Sequence, residues 1–96
     1  MDVLVTYDIS TTDAAGRRRL RHVAETCVNY GQRVQQSVFE CTVTRAQYEQ
    51  MVAELVDLIH EKKDSLRVYR LAQPTEDTVQ TWGIDDKLDL DGPLVL

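Results

Sequence analysis

The run Val3-Leu-Val-Thr-Tyr-Asp-Ile9 admits one regular structure. Its β-branched and aromatic side chains fit a pleated surface and are poorly suited to a helix. Side chains alternate along a strand, so Val3, Val5, Tyr7 and Ile9 share one face, and Leu4, Thr6 and Asp8 share the other. The first face is apolar and has to be covered by a second layer. The next segment supplies that layer. Ser10-Thr-Thr-Asp13 offers helix-capping side chains. Leu20, Val23, Ala24, Cys27 and Val28 then recur at helical spacing, with Gly31 as a C-terminal stop. The spacing predicts a helix from Asp13 to Tyr30.

Arg33 to Val43 is extended again and long enough for two short strands with a tight turn or bulge near Gln36-Ser37. Thr44 can cap a second helix, with Tyr48, Met51, Val52, Leu55, Val56 and Ile59 as its buried stripe. That helix is expected to end near Lys62-Lys63, cations that suit a helix C-terminus. Ser65 to Leu71 predicts a strand with one wet face. After Pro74 the pattern weakens. Val79 to Ile84, around Trp82 and Gly83, predicts a short fifth strand, Asp85 to Gly92 an acidic loop, and Pro93 to Leu96 an apolar tail.

The order β-α-β-β-α-β plus a short extra C-terminal strand is the α+β, ferredoxin-like plan. Ninety-six residues make one domain around one core, residues 1–96, with 74–96 as the strand and tail. Both helices cover one sheet face, and nothing is left to cover the other. Such a face can be solvated, bind a ligand or dimerise, and the fold alone does not choose.

Composition narrows the classes. At 43% hydrophobic and 28% charged, the chain matches an ordinary soluble domain. No apolar run nears the roughly 18 residues of a membrane span. The start, Met-Asp-Val-Leu, lacks the basic region of a signal peptide, so an intracellular protein with no membrane partner is expected. Cys27 and Cys41 are too far apart for a Cys-x-x-Cys motif and read as small core hydrophobes in a reducing compartment. His22 and His60 have no partner at metal-ligand spacing and fall off the apolar stripes. There is no phosphate-cradling Gly-rich loop. Ser37 has no obvious adjacent base, which argues against a Ser-His-Asp hydrolase.

Charge is unevenly distributed. A net charge of -5 argues against indiscriminate nucleic-acid binding. Yet Ala15 to Arg45 holds six Arg against two acids, whereas Leu71 to Leu96 holds six acids and one Lys. Arg17-Arg18-Arg19, with Arg21 close behind, falls in the first turns of the predicted helix. Cations there oppose the helix dipole, so structure alone does not favour them. They read either as a solvated face or as a phosphate site built on a helix N-terminus, which Arg33 could join. Asp8 also has two readings. It is a capping or turn residue for the segment after it, or it is a metal ligand or acid/base group. One carboxylate makes a poor Mg²⁺ site unless waters, phosphate oxygens or a two-fold-related carboxylate complete it. Two ionised carboxylates about 5 Å apart repel by about 3 kcal/mol at an effective dielectric of 20, so the pair would share a proton or recruit a cation.

Three stretches together carry a family resemblance. Val-Thr-Tyr-Asp-Ile ending at Ile9, Asn29-Tyr-Gly-Gln-Arg-Val-Gln-Gln-Ser-Val-Phe-Glu-Cys41 and Lys63-Asp-Ser-Leu-Arg-Val-Tyr-Arg-Leu71 resemble the CRISPR-associated Cas2 proteins, most of all members that accompany type I-C systems. The resemblance covers Met1 to about Leu71 well and the tail loosely. It implies a ferredoxin-like homodimer joined through the sheet faces, the last strand crossing to extend the partner's sheet. It implies a metal-dependent, largely sequence-independent endonuclease acting on double-stranded DNA or single-stranded RNA, with Asp8 binding Mg²⁺ (or Mn²⁺) between subunits. It places Tyr7, Ser37 and Phe39 in the supporting motif, and Arg33 with the Arg17, Arg18, Arg19 and Arg21 cluster on nucleic acid. It implies work with the Cas1 integrase in spacer acquisition, in a prokaryotic cytoplasm. The alternative within the same resemblance is a non-catalytic DNA-binding scaffold for the integrase, with Asp8 vestigial and the acidic tail docking a basic partner. A toxin-like ribonuclease is a third reading, since some small toxins share this fold.

Overall fold

The structure is a computed structural model and describes residues 1–84. The elements run β1 (Asp2–Asp8), α1 (Ala14–Tyr30), β2 (Gly31–Gln35), β3 (Val38–Thr42), α2 (Arg45–Leu58), β4 (Ser65–Arg70) and the one-turn α3 (Thr75–Thr78). The four strands form one antiparallel sheet in the order β2-β3-β1-β4. This is the expected ferredoxin-like arrangement, with β1 and β3 central and both edges formed by strands that come after a helix.

The alternation in β1 sets the layers. Val3, Val5 and Tyr7 are buried under the helices, while Leu4 and Thr6 face the other way. Val5 pairs with Phe39 on one side and Val68 on the other, so the inner face continues across three strands. Val23 and Cys27 from α1, and Met51 and Leu55 from α2, close the core over that face. Tyr30 Oη donates to Glu54 Oε2 at 2.5 Å and ties the two helices together. Cys27 and Cys41 are both buried free thiols, as their apolar context predicts.

Two positions of the expected stripes turn outward. Val28 is 59% exposed and Val56 56% exposed. Each lies one residue beyond a buried position, about 100° around the helix, which carries it off the covered face. Asp13 is the N-cap of α1, its side chain accepting from the Gly16 amide at 2.8 Å. Thr44 caps α2 in a capping box with Gln47. Gly31 does end α1, but in extended rather than left-handed backbone. It is glycine because a Cβ there would sit 2.4 Å from Cys41 Sγ and from the Glu40 carbonyl oxygen across the β2–β3 pair.

α2 stops at Leu58, short of the expected Lys62-Lys63. The reason is local competition. The His60 amide, which a longer helix would turn onto its own ladder, donates instead to Asp64 Oδ2 at 2.8 Å. Residues 60–64 then close as a turn, with the Lys63 and Asp64 amides on the His60 carbonyl.

The C-terminal expectation needs correction too. Val79 to Ile84 forms no strand within the chain, and α3 precedes it. Thr75 donates to Asp2 Oδ2 through both its amide and its hydroxyl, at 2.9 and 3.1 Å, and Thr42 Oγ1 donates to Asp2 Oδ1 at 2.9 Å. This anchor turns the chain away from the β4 edge and across the outer sheet face. There a groove of about 510 Å³ lies between Leu4, Val34 and Val38 on the sheet and Val79 and Trp82 on the crossing segment. The outer face is therefore partly covered by the chain itself. Trp82 remains 80% exposed. The acidic loop and apolar tail expected at Asp85 to Leu96 lie outside the described residues. No described helix is long and apolar enough to cross a membrane.

Candidate functional site

Asp8 closes β1 opposite Ser65 of β4, on the outer face, and is exposed. Its position is set by its neighbours. Tyr7 and Ile9 are both buried, so the residue between them has to point outward. The capping alternative does not hold for Asp8, because Asp13 caps α1. Among the described residues Asp8 takes part in no ion pair.

Tyr7, Phe39 and Arg33 lie on the helix-covered face of the sheet, opposite the face that carries Asp8. The Tyr7 amide donates to the Ser37 carbonyl at 3.2 Å, so Ser37 contributes its backbone to the contact. The Tyr7 and Phe39 rings stack with centroids 6.2 Å apart. Phe39 is fully buried and pairs with Arg33 across β2–β3, and the Arg33 Cζ lies 5.1 Å from the Phe39 ring centroid. That is a cation–π contact, and it holds the Arg33 stem against the sheet while its charge stays at the surface. A register shift between Arg33 and Gln35 bends β2 at this point. The Tyr7 hydroxyl is buried without a well-formed hydrogen bond among the described residues. Burial raises its pKa, and the nearby Arg33 guanidinium partly offsets that rise.

The arginines divide into two groups. Arg17, Arg18 and Arg21 are exposed, and none is in an ion pair among the described residues. Arg19, expected among the phosphate-binding residues, is instead committed inside the fold. Its Nε donates to Asp64 Oδ2 at 2.8 Å and its Nη2 to Asp64 Oδ1 at 3.3 Å, with 17% of the Arg19 side chain exposed and none of Asp64. The physical reason is helical periodicity: Arg19 lies on the flank of α1 that faces the turn before β4, and its neighbours do not.

Asp64 was not legible as a site residue. It also accepts from the Ser10 amide at 3.0 Å and the His60 amide at 2.8 Å. Burial opposes its ionisation, yet the Arg19 guanidinium and the His60 and Ser10 amides together hold its pKa down at about 2. Two of its partners, Arg19 and Ser10, lie 45 and 54 positions away in sequence, and no local spacing reports such a contact. Its sequence signals were an acid placed directly before a predicted strand and its place in the Lys63 to Leu71 stretch. Lys63 adds a looser pair across the same two connections, 3.9 Å from Asp13.

Among the described residues no three His, Cys, Asp or Glu side chains converge as a metal site. What the chain does offer is an outward carboxylate at the end of a central strand, in no ion pair among the described residues, with cationic side chains on the helix after it. That donor set suits a hard cation completed by waters, phosphate oxygens or a carboxylate from a second copy.

Comparison with known proteins gives a consistent outcome. The profile of the family described as CRISPR associated protein Cas2 matches residues 1–79. The chain is 52% identical over 96 residues to a CRISPR-associated endoribonuclease Cas2 of Moorella thermoacetica, covering all of both chains. It is 50% identical over 95 residues to a CRISPR-associated endonuclease Cas2 of Halalkalibacterium halodurans, covering 99% of each. The crystal structure of Streptococcus pyogenes Cas2 superposes with a TM-score of 0.77 at 54% identity, covering 86% of this chain and all of that one. The order of strands and helices, the strand-end aspartate with its aromatic and arginine neighbours, and these full-length likenesses agree: the chain belongs to the CRISPR-associated Cas2 family.

Proposed function

We propose that the chain is a homodimeric, metal-dependent endonuclease of the CRISPR system. It cuts double-stranded DNA or single-stranded RNA with little regard to sequence, and it works with the Cas1 integrase in spacer acquisition in the prokaryotic cytoplasm. The observation that carries this reading is Asp8, an exposed strand-end carboxylate without an ion-pair partner among the described residues, succeeded directly by a helix whose first turns carry Arg17, Arg18 and Arg21. Relatives named endoribonuclease and endonuclease support the reaction class.

In this reading the Asp8 carboxylates of the two subunits would hold Mg²⁺ or Mn²⁺ between them. The bound metal supplies Lewis-acid stabilisation of phosphoryl charge and a more acidic water. The chain's own residues do the remaining work. Arg17, Arg18 and Arg21 bind phosphates and neutralise backbone charge. Arg33, braced on Phe39, presents its guanidinium from the β2 edge of the sheet. Tyr7 and Ser37 fix the end of β1 through the backbone bond between them. Contacts confined to the phosphate backbone carry no sequence information, which fits cleavage without base readout.

The absence of a converging group of three metal-ligating side chains among the described residues equally favours a second reading, a DNA-binding scaffold for the integrase in which Asp8 is vestigial. One experiment separates the two. Purified protein is incubated with double-stranded DNA and single-stranded RNA, with and without Mg²⁺, beside Asp8→Ala. The nuclease reading expects Mg²⁺-dependent cleavage that the variant loses. Salt-sensitive DNA binding without cleavage, unchanged in the variant, would leave the scaffold.

A further inference from the structure

Asp64 is joined to Asp8 by two routes. Along the chain it directly precedes Ser65, the residue paired with Asp8 across β1–β4. Through space its Oδ1 accepts the amide of Ser10, two residues beyond Asp8, at 3.0 Å. The other side of that segment is closed as well. An added Cβ at Gly16 would lie 1.9 Å from the Ser10 carbonyl oxygen, so the first turn of α1 rests directly on Ser10. The backbone just after Asp8 is thus held on its N–H side by a fully buried carboxylate and on its C=O side by a glycine.

The same carboxylate holds α1. Arg19 reaches both of its oxygens, and Arg19 lies in the run that also presents Arg18 and Arg21 to solvent. The His60 amide on Oδ2 fixes the turn from which Asp64 itself projects.

We propose that Asp64 is a positioning residue for the nucleic-acid site, holding the Asp8 strand end and the arginine face of α1 in one rigid frame. The inference rests on the assignment of Asp8 to the metal and of the exposed arginines to phosphate. Without the Asp64 charge, the Ser10 and His60 amides compete for a weaker acceptor, and Arg19 is free to swing out. Misplacing a reacting group by about 1 Å costs on the order of 100-fold in rate. A bond that only stabilises the fold would not change the rate of folded protein.

The test uses full-length protein carrying Asp64→Asn, with Arg19→Lys as a milder variant that keeps the charge and loses the planar fork. The first readout is kcat and KM for Mg²⁺-dependent cleavage, at a temperature where circular dichroism shows each variant folded. The second is amide hydrogen exchange at Ser10, compared with core amides such as Val5 and Phe39. Asp64→Asn is expected to lower kcat about 10- to 100-fold with KM changed less than about threefold, and to cut Ser10 protection about tenfold while the core amides hold. Arg19→Lys is expected to lower kcat in the same direction, and it decides the matter if Asp64→Asn does not fold. Wild-type kcat in a folded variant, or unchanged Ser10 protection, overturns the proposal. If the wild-type protein itself does not cleave, the nuclease reading falls, and positioning is judged on duplex binding. A salt dependence shallower by about 0.9 for each phosphate the folded variant no longer neutralises then supports it, and an unchanged slope overturns it.

Discussion

Replacing Asp64 by Asn keeps the shape of the side chain, removes its charge and turns one accepting oxygen into a donor, so the cost contains both the lost charge and the hydrogen bonds that oxygen accepted. The Asp64 carboxyl has its pKa held at about 2 in the folded protein, against an ordinary 3.8. A lowered folded-state value means that the ionised form stabilises the fold above the unfolded pKa, and that this stability is lost as pH falls through the folded one. The gap corresponds to about 2.5 kcal/mol at neutral pH, and screening through the exposed part of Arg19 brings the charge-dependent part of the expected cost to about 1–2 kcal/mol. Urea unfolding tracked by circular dichroism measures it, at one fixed protein concentration because an oligomer's stability depends on concentration. The charge-dependent part of the difference between wild type and Asp64→Asn should be full at pH 7 and fall below half near pH 2.5, where the carboxyl of the unfolded chain is almost wholly protonated while most of the folded one is still ionised. Arg19→Ala should cost more than Asp64→Asn, because it leaves a buried charge unpaired, and the double variant should cost less than the sum. A difference under about 0.5 kcal/mol at pH 7, or one that persists undiminished in acid, would refute the assignment of Asp64 as a charged structural hub.

The same geometry has other consequences. Charge reversal by Arg18→Glu and Arg21→Glu should flatten the salt dependence of duplex binding by about 0.9 for each phosphate no longer neutralised, read by fluorescence anisotropy at several salt concentrations; an unchanged slope removes these residues from the binding face. Gly31→Ala places a Cβ against Cys41 Sγ and the Glu40 carbonyl, so the urea midpoint should fall by an amount equivalent to about 1–3 kcal/mol, and a neutral result would mean that β2 shifts freely. Burial pushes the Cys27 thiol up to about 12 and the Cys41 thiol up to about 11. Both thiols should therefore stay unreactive to a thiol-specific chromogenic disulfide at pH 8 until denaturant is added, and prompt labelling of folded protein would contradict their burial.

The elements legible in the sequence are those with a local cause. β1 announces itself by β-branched alternation, α1 and α2 by their Asp13 and Thr44 caps and period-3.6 stripes, and the β2–β3 hairpin by one uncharged turn. Asp8 is legible because a carboxylate ending an apolar strand stands out. Arg33 and Phe39 can be named but not paired, since their contact depends on the β2–β3 register. The departures from expectation share one cause. The end of α2, the role of Arg19 and the path after Pro74 are each decided by an aspartate that accepts hydrogen bonds, from four residues away at the end of α2 and from 45 and 73 residues away in the other two.

Periodicity and capping act between neighbours along the chain, so the amino-acid sequence by itself determined the element order, the layer each strand residue faces and the outward placement of Asp8. Hydrogen-bond partners many residues apart meet only once the sheet register has formed. Only the tertiary structure, therefore, could assign Arg19 to Asp64 and leave Arg17, Arg18 and Arg21 exposed and outside any ion pair among the described residues. It alone could show Asp2 turning the chain across the outer face. A buried carboxylate without partners is costly in any position, and nothing in the sequence near Asp64 says which distant donors will supply them.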